Sequence, residues 1–451
     1  MTRAIVLVDG NNFYASCEAA FDPSVIGRPL VVLSNNDGCI VSRSQEARDL
    51  GIAMGQPYFQ VRRDLERLGV VVRSSNYALY ADMSQRLMTS LEPWVEELEV
   101  YSIDEAFGLL SRPAGDPDLS DWGRRLRQTI RHQIGLPVAV GIASSKVRAK
   151  LANRIAKRDR RHNGVFDLEV QADADPWLEG VAVEDIWGIG RRRSRWLRLR
   201  GVANARDLRD MASAELRRQY GVVGLRLQQE LQGQSCLPLV SVAPPKQEIC
   251  VSRSFSEPVE SLEGLRQAVA TYLCRAAEKL RQQKLLSASI TVFVRSNPFN
   301  GTSFYSRAAT ANLLLPSADT GVLLEAALPL LAGLFKPHKP LKKAGVLLQG
   351  LQPDTQLQHT LLLSLPPEAQ RRRERLMLTV DGLNRRYGRG TVQWAACGLQ
   401  PSWAMRRSRL SRSATTRIEH LPLVHTGTPP LLQRSLRREG QRQPWSSGGP
   451  G

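Results

Sequence analysis

The sequence predicts a multidomain α/β protein. Three observations carry that class. Residues 1–165 alternate short apolar, β-branched runs with amphipathic segments, the pattern of a mixed sheet covered by helices. Residues 168–235 lose the strand signal and become arginine-rich and helical, with glycine-punctuated turns. A second alternation follows a linker, 236–247, that contains three prolines. A length of 451 residues allows two to four units at ~100–200 residues each.

Taken in order, AIVLVD (4–9) is a short strand buried on both faces, ending in the turn cluster Asp9-Gly10-Asn11-Asn12. FYASCEAAF (13–21) is helical. PLVVLS (29–34) and CIVS (39–42) form a hairpin around NNDG. Ser44 caps a short helix that Gly51 stops. Residues 95–110 hold strand candidates on both sides of Asp104-Glu105. Residues 119–134 are an amphipathic helix, 136–144 a buried strand and 145–158 a basic helix. The alternation predicts a mixed α/β sheet domain over roughly 1–165. In the second unit, Leu262, Leu265, Val269, Leu273, Ala276 and Leu280 share one helical face. Ile290, Val292 and Val294 face a core, with Thr291, Phe293 and Arg295 on the other side. Residues 351–375 read as a connector, and 426–451, rich in Gly, Pro, Ser and Arg, as a disordered tail.

Charge narrows the function. The net charge is +19, with pI about 10.2, which calls for a polyanionic partner. Residues 1–110 are nonetheless acidic, at net −6, whereas 111–350 carry +15 and 351–451 carry +10. A protein that only coats nucleic acid has no use for an acidic part. A metal enzyme acting on phosphates does. The six cysteines form no CxxC pair, which argues against a disulfide framework or zinc site and fits a reducing cytoplasm. The longest apolar stretch, 323–335, is broken by Glu325 and Pro329, so no membrane span is expected.

The candidate chemistry lies in Asp9, Asp104 and Glu105, acids at strand ends. Burying such ions unpaired is costly, and a divalent cation satisfies all three together. Singly, each has a plain alternative as a helix cap or an exposed turn. Arg48, Lys150 and Lys157 are candidate phosphate grips, the two lysines seven apart on one helix face.

Five ordered blocks, VDGNNFYASCE (8–18), SNNDGCIVSRSQEAR (34–48), SSNYALYADMS (74–84), YSIDEAF (101–107) and GIASSKVRAKLANRIAK (141–157), resemble the Y-family translesion DNA polymerases. Their wording, and LMLTVDGLNRRYGRGTVQWAACG (376–398), is similar to the UmuC branch, the catalytic subunit of bacterial DNA polymerase V. The resemblance covers roughly residues 1–425. It implies a right-hand polymerase: a mixed-sheet palm (1–12 and 79–167), small fingers (13–78), a helical thumb with a helix-hairpin-helix (168–235), the linker, an α/β little finger (248–350) and a basic C-terminal region (351–425).

The resemblance also assigns roles. Asp9, Asp104, Glu105 and the Gly10 carbonyl would hold two Mg2+ ions, and a primer 3′-hydroxyl would attack the α-phosphate of a dNTP. Tyr14 matches the steric gate against ribonucleotides, with Phe13 beside the nucleotide. Arg48 and Lys157 match triphosphate-binding positions. Gln45 stands where many relatives carry a tyrosine. Ala47 and Ser42 would leave a roomy site for the nascent base pair. Gly188, Ile189, Gly190 and Arg191 would bind DNA phosphates through a glycine turn and helix N-terminus. Arg253 and Arg295 would touch the primer-template backbone. Gln358, Leu361 and Leu362 fit a sliding-clamp peptide. Implied partners are a processed UmuD dimer, a RecA filament and the β clamp. The setting is the SOS response, in a bacterial cytoplasm beside the nucleoid. Three alternatives stay open: a DNA polymerase IV-type enzyme acting alone, a catalytically dead recruitment paralogue, and a two-metal nuclease.

Overall fold

The computed structural model describes residues 2–112, 118–242, 244–299, 303–356, 367–399 and 403–421. The chain starts with β1 (Thr2–Gly10) and α1 (Phe13–Phe21), then β2 (Leu30–Leu33), β3 (Ile40–Arg43), α2 (Gln45–Asp49), α3 (Tyr58–Arg67) and β4 (Val71–Ser74). Next come α4 (Tyr77–Leu91), β5 (Glu97–Val100), β6 (Glu105–Arg112), α5 (Ser120–Ile134), β7 (Val138–Ala143), α6 (Lys146–Arg158) and β8 (Val165–Asp167). A five-stranded sheet has the order β5-β6-β1-β7-β8, with β1 antiparallel to both neighbours and β7 parallel to β8. β1 is buried on both faces, which is why its sequence is a continuous apolar run. Ala4, Val6 and Val8 pack with α1, α4 and α5, while Ile5 and Leu7 pack with α6.

The expected sheet domain holds two sheets. β2, β3 and β4 leave the alternation and form their own sheet, ordered β3-β2-β4, with β2 antiparallel to β3 and parallel to β4. Its core includes Val31, Leu33, Ile40, Ala47, Ile52 and Leu65. Alternation along the chain does not say which strands pair, and the NNDG hairpin is served within the small sheet alone.

The arginine-rich stretch is helical: α7 (Asp175–Glu179), α8 (Arg191–Arg198), α9 (Ala205–Asp210) and α10 (Ser213–Leu231). Its core includes Val147 and Leu151 of α6, so this unit is built onto the larger sheet's own helix. The following linker is held to that sheet. Lys146 Nζ donates to the Pro238 carbonyl (2.8 Å) and pairs with Glu99, which also accepts from the Val240 amide (2.7 Å).

The second α/β unit comprises β9 (Ile249–Val259), α11 (Leu262–Gln282), β10 (Leu285–Ser296), β11 (Ser306–Ser317), α12 (Thr320–Ala327), α13 (Leu330–Leu334) and β12 (Leu341–Pro353). The strands form an antiparallel sheet of order β11-β10-β12-β9, and α11 buries the predicted apolar face against it. Two boundaries move. β12 runs past residue 350 to Pro353, and the last nine residues of the predicted connector, 367–375, open α14 (Pro367–Tyr387). Arg281 of α11 grips Asp381 of α14 with two hydrogen bonds of 2.7 Å. The expected tail, 426–451, lies outside the described residues. Among the described residues, no helix is long and apolar enough to cross a membrane.

Contact between α6 and β7 is unusually close. A Cβ on Gly141 would lie 2.2 Å from the Asn153 backbone nitrogen and 2.4 Å from the Ala149 carbonyl oxygen. Asn153 sits between the layers and donates to the carbonyl of Ala139 (2.9 Å). Gly141→Ala must therefore push α6 outward. The expected cost is about 3 kcal/mol, the upper end for an overpacked core, read as a lower denaturant midpoint in equilibrium unfolding.

Candidate active site

Asp9, the last residue but one of β1, stands directly opposite Glu105, the first residue of β6. Opposed residues of an antiparallel pair share a face, so the ladder forces the two carboxylates together. The Gly10 amide donates to the Asp104 carbonyl at 2.8 Å, which anchors the turn before β6 to the end of β1. Ser102 shapes that turn: its hydroxyl accepts from the Glu105 amide (3.1 Å) and donates to the Asp104 carboxylate (2.7 Å).

Two lysines of α6 face the acids. Lys157 Nζ lies 2.5 Å from Asp9, and Lys150 Nζ 2.9 Å from Glu105. Lys150 also sits over the Tyr101 ring, 4.4 Å from its centroid. Burial pushes the Asp9 carboxyl up to about 7 against the pull of Lys157, with Glu105 adding to the rise. For Glu105, burial also acts upward, but the hydrogen bonds from Asp9 and Lys150 outweigh it and the net shift is downward. Of the two carboxyls, Asp9 is thus the one whose surroundings favour the protonated form.

Two adjoining cavities open here. One, of about 440 Å3, is lined by Asp9, Glu105, Arg48, Lys150, Arg154 and Lys157 among others. The other, of about 460 Å3, is lined by Asp9, Gly10, Phe13, Tyr14, Ser42 and Asp104 among others. Phe13 is buried at the start of α1. Tyr14 is half-buried and stacks on Tyr80, with ring centroids 4.3 Å apart. The donor set suits a hard cation: carboxylate oxygens, whose charge is now met by Lys150 and Lys157. The expected convergence of three acids is met only for Asp9 and Glu105. The Asp104 carboxylate is held by Ser102, and among the described residues no three acidic, His or Cys side chains are gathered into a metal site.

The other expected residues are spread between the cleft, the small sheet, the helical unit and the four-stranded unit. Gln45 is exposed, lines neither cavity, and gives its amide to Asp49 at 2.7 Å within its own helix. Ala47 is wholly buried in the small sheet's core and takes no part in the cleft, whereas Ser42 does line it. Gly188 adopts φ +93°, and no atom lies within 4 Å of a Cβ built on Gly188 or Gly190, so the turn is open to an incoming group. Ile189, however, is buried in the helical core, which leaves only its backbone for any contact. Arg191 is exposed at the start of α8. Arg253 and Arg295 are both exposed but do not share a face. Arg253 is in register with Ala344 and Val294 on the helix side of the sheet, and its charge acts on Tyr272 and Lys279 of α11. Arg295 lies on the open side beside Phe293. Gln358, Leu361 and Leu362 lie outside the described residues.

Sequence reasoning missed Arg154 and Arg158, which line the cleft and pair with Asp185. The i, i+4, i+7 row that aligned Lys150 with Lys157 passes through Arg154 and was a usable signal. It also missed Glu18 and Tyr80, buried behind Tyr14, for which no local pattern exists.

Comparison with known proteins closes the description. A solved Y-family DNA polymerase chimera, Dbh-Dpo4-Dbh, matches with a TM-score of 0.60 at 21% identity, over 78% of this chain and 99% of that one. The fold is thus the right-hand fold of the Y-family DNA polymerases. Protein UmuC of Salmonella typhimurium strain LT2 is 44% identical over 417 residues, 92% of this chain and 98% of that protein. Protein SamB of Salmonella typhimurium is 40% identical over 92% and 98% of the two chains. A protein named DNA polymerase IV, from Corynebacterium diphtheriae, is 30% identical over 78% and 76%. The impB/mucB/samB family matches residues 8–154, its C-terminal domain matches 246–361, and a domain of unknown function, DUF4113, matches 374–424. The chain belongs to this impB/mucB/samB family, and its similarity to Protein UmuC runs along nearly its whole length.

The raised Asp9 carboxyl carries a stability consequence. Its ionisation is disfavoured in the folded state, so its cost grows as pH rises from about 4 and is complete above about 7. With a chelator present, Asp9→Asn should stabilise the chain by on the order of 1 kcal/mol at pH 8 and by clearly less at pH 5. Thermal unfolding at the two pH values measures this. An equal gain at both would remove the strain assigned to Asp9.

Proposed function

We propose that the chain is a template-directed DNA polymerase that copies past damaged bases, acting as the catalytic subunit of a UmuC-type assembly in the SOS response. The observation that carries the reading is the Asp9–Glu105 pair at the base of an open cleft rimmed by Arg48, Lys150, Arg154 and Lys157. Acids that hold cations, faced by bases that hold phosphates, are what nucleotidyl transfer requires.

In this reading Asp9, Glu105, the Gly10 carbonyl and Asp104, once freed from Ser102, hold two Mg2+ ions. The ions, when bound, make the primer 3′-hydroxyl nucleophilic and stabilise the departing pyrophosphate. The chain's own groups do the rest. Lys150 and Lys157 turn from the carboxylates to the triphosphate, which Arg48 holds from the small sheet. Tyr14 closes against a ribose 2′-hydroxyl, and Phe13 and Ser42 border the base. Gln45 reaches the phosphates only by releasing Asp49. The small sheet with its helices serves as fingers, the five-stranded sheet as palm, the helical unit as thumb and the four-stranded unit as little finger. Amides at Gly188 to Gly190, with Arg191, hold a DNA phosphate, and Arg295 meets the backbone from the open sheet face. Arg253 does so only where the duplex reaches the sheet edge.

The family supports a processed UmuD dimer as partner. A RecA filament and the β clamp, the latter through residues 358–362, complete the proposed assembly in the cytoplasm beside the nucleoid. A DNA polymerase IV-type enzyme is disfavoured by the lower identity to proteins of that name and by the match to the additional C-terminal domain.

Primer extension on damaged and undamaged templates tests the reading. Asp104→Ala should lower kcat/KM by at least about a thousandfold. Unchanged extension by that variant would defeat the polymerase assignment, and loss of labelled primer without dNTPs would identify a nuclease. Tyr14→Ala should admit ribonucleotides at least about tenfold more readily, read as the ratio of kcat/KM for dNTP over rNTP.

A further inference from the structure

The chain leaves the four-stranded unit at its C-terminal end and crosses back to the small sheet. Trp403 is buried against Tyr272 of α11, ring centroids 5.7 Å apart. Three residues later the Arg406 amide donates to the Asn36 side chain (3.0 Å), whose own amide donates to the Ser254 carbonyl of β9 (2.8 Å). Ser408 donates to Asp37 twice, from its amide (3.0 Å) and its hydroxyl (2.8 Å). Residues 409–410 then run parallel to the end of β4. The Ser74 amide donates to the Arg409 carbonyl (2.9 Å), and the Arg409 amide donates to the Ser74 hydroxyl (2.9 Å).

The path ends behind the nucleotide cleft. The Ser411 hydroxyl accepts from the Asn76 side chain (3.0 Å) and donates to Glu18 (3.1 Å). The same Glu18 oxygen accepts from the Tyr80 hydroxyl at 2.7 Å. Glu18 is 1% exposed and Tyr80 fully buried, so neither has water as a substitute partner. Tyr80 stacks on Tyr14 with 14° between the ring planes. Asn76 also caps α4, the helix that carries Tyr80, by accepting from the Leu79 amide.

We propose that residues 403–413, inside the matched domain of unknown function, are a strap that positions the sugar gate. They tie the small sheet to the four-stranded unit and fix Tyr14 through Ser411, Glu18 and Tyr80. The inference rests on the reading of Tyr14 as that gate. Ser411, Glu18 and Tyr80 touch no substrate and act as positioning residues. A stacked ring can exclude a hydroxyl only if its backing does not yield. The backing here is a buried carboxylate whose partners are a tyrosine from α4 and a serine from the far end of the chain. The hydrogen bonds from Arg406 to Ser411 go to the small sheet, its β2–β3 turn or the helices beside it, so selection of the sugar depends on a segment remote in sequence.

The test uses the full chain, with single-nucleotide incorporation of dNTP and rNTP. Ser411→Ala should lower discrimination against the ribonucleotide about fivefold, through a lower KM for rNTP. Tyr80→Phe, which keeps the ring and loses the hydroxyl, should do the same. The double variant should be no worse than either single one, because both act through Glu18. Glu18→Gln, which still accepts, should recover most of the loss seen in Glu18→Ala. Additive effects of the two single changes, or a lower melting temperature with unchanged discrimination, would overturn the strap. Tyr14→Ala is the reference. If it leaves discrimination intact, the gate reading itself fails; if it relaxes discrimination while Ser411→Ala does not, only the strap fails.

Discussion

The register of β1 against β6 is the constraint on which the site depends. Eight opposed pairs, from Thr2 with Arg112 to Asp9 with Glu105, bring two acids face to face at the ladder's end. A slip of one residue would turn Asp9 to the other face and empty the cleft of its charge pair. The register is protected by burial on both sides of β1, so every residue from Ala4 to Val8 would be misplaced by a slip. The close seat of α6 over Gly141 completes the arrangement, because the same helix brings Lys150, Arg154 and Lys157 to the acids.

Much of this was legible in the sequence because it is local. The apolar run at 4–9, the capping serines at 44 and 145 and the helical face at 262–280 are each set by residues within a turn or two of one another, and each takes the expected form. What failed was pairing. Nothing local says that strands 30–33 and 40–43 leave the main sheet, or that Arg253 and Arg295 fall on opposite sides of another. A bulged strand changes which residues face the core, and β9 loses register near its end. The acids were recognised by kind and position, but their present partners were not. The sequence reading paired them with cations from solution, whereas lysines seven apart on α6 occupy them.

The site is a frustrated one in the energetic sense. Two half-buried carboxylates and two lysines lie within hydrogen-bonding reach, and burial pushes the Asp9 carboxyl up to about 7. Such an arrangement is a poor way to stabilise a protein and a good way to receive a charged substrate. Elsewhere ionic groups are used conventionally: Arg281 with Asp381 fastens α14 to α11, and Arg148 with Glu169 closes one end of α6.

The four-stranded unit is fastened to the rest of the chain at both ends. Its incoming segment is moored at Pro238 and Val240, and its outgoing segment lies along β4. From Ser241 to Ile249 the chain can reach about 25–30 Å at most. With one mooring released, the unit still stays at a millimolar effective concentration beside its docking surface. A module tethered at both ends in this way cannot swing free, so its re-docking is unimolecular and independent of how dilute the protein is.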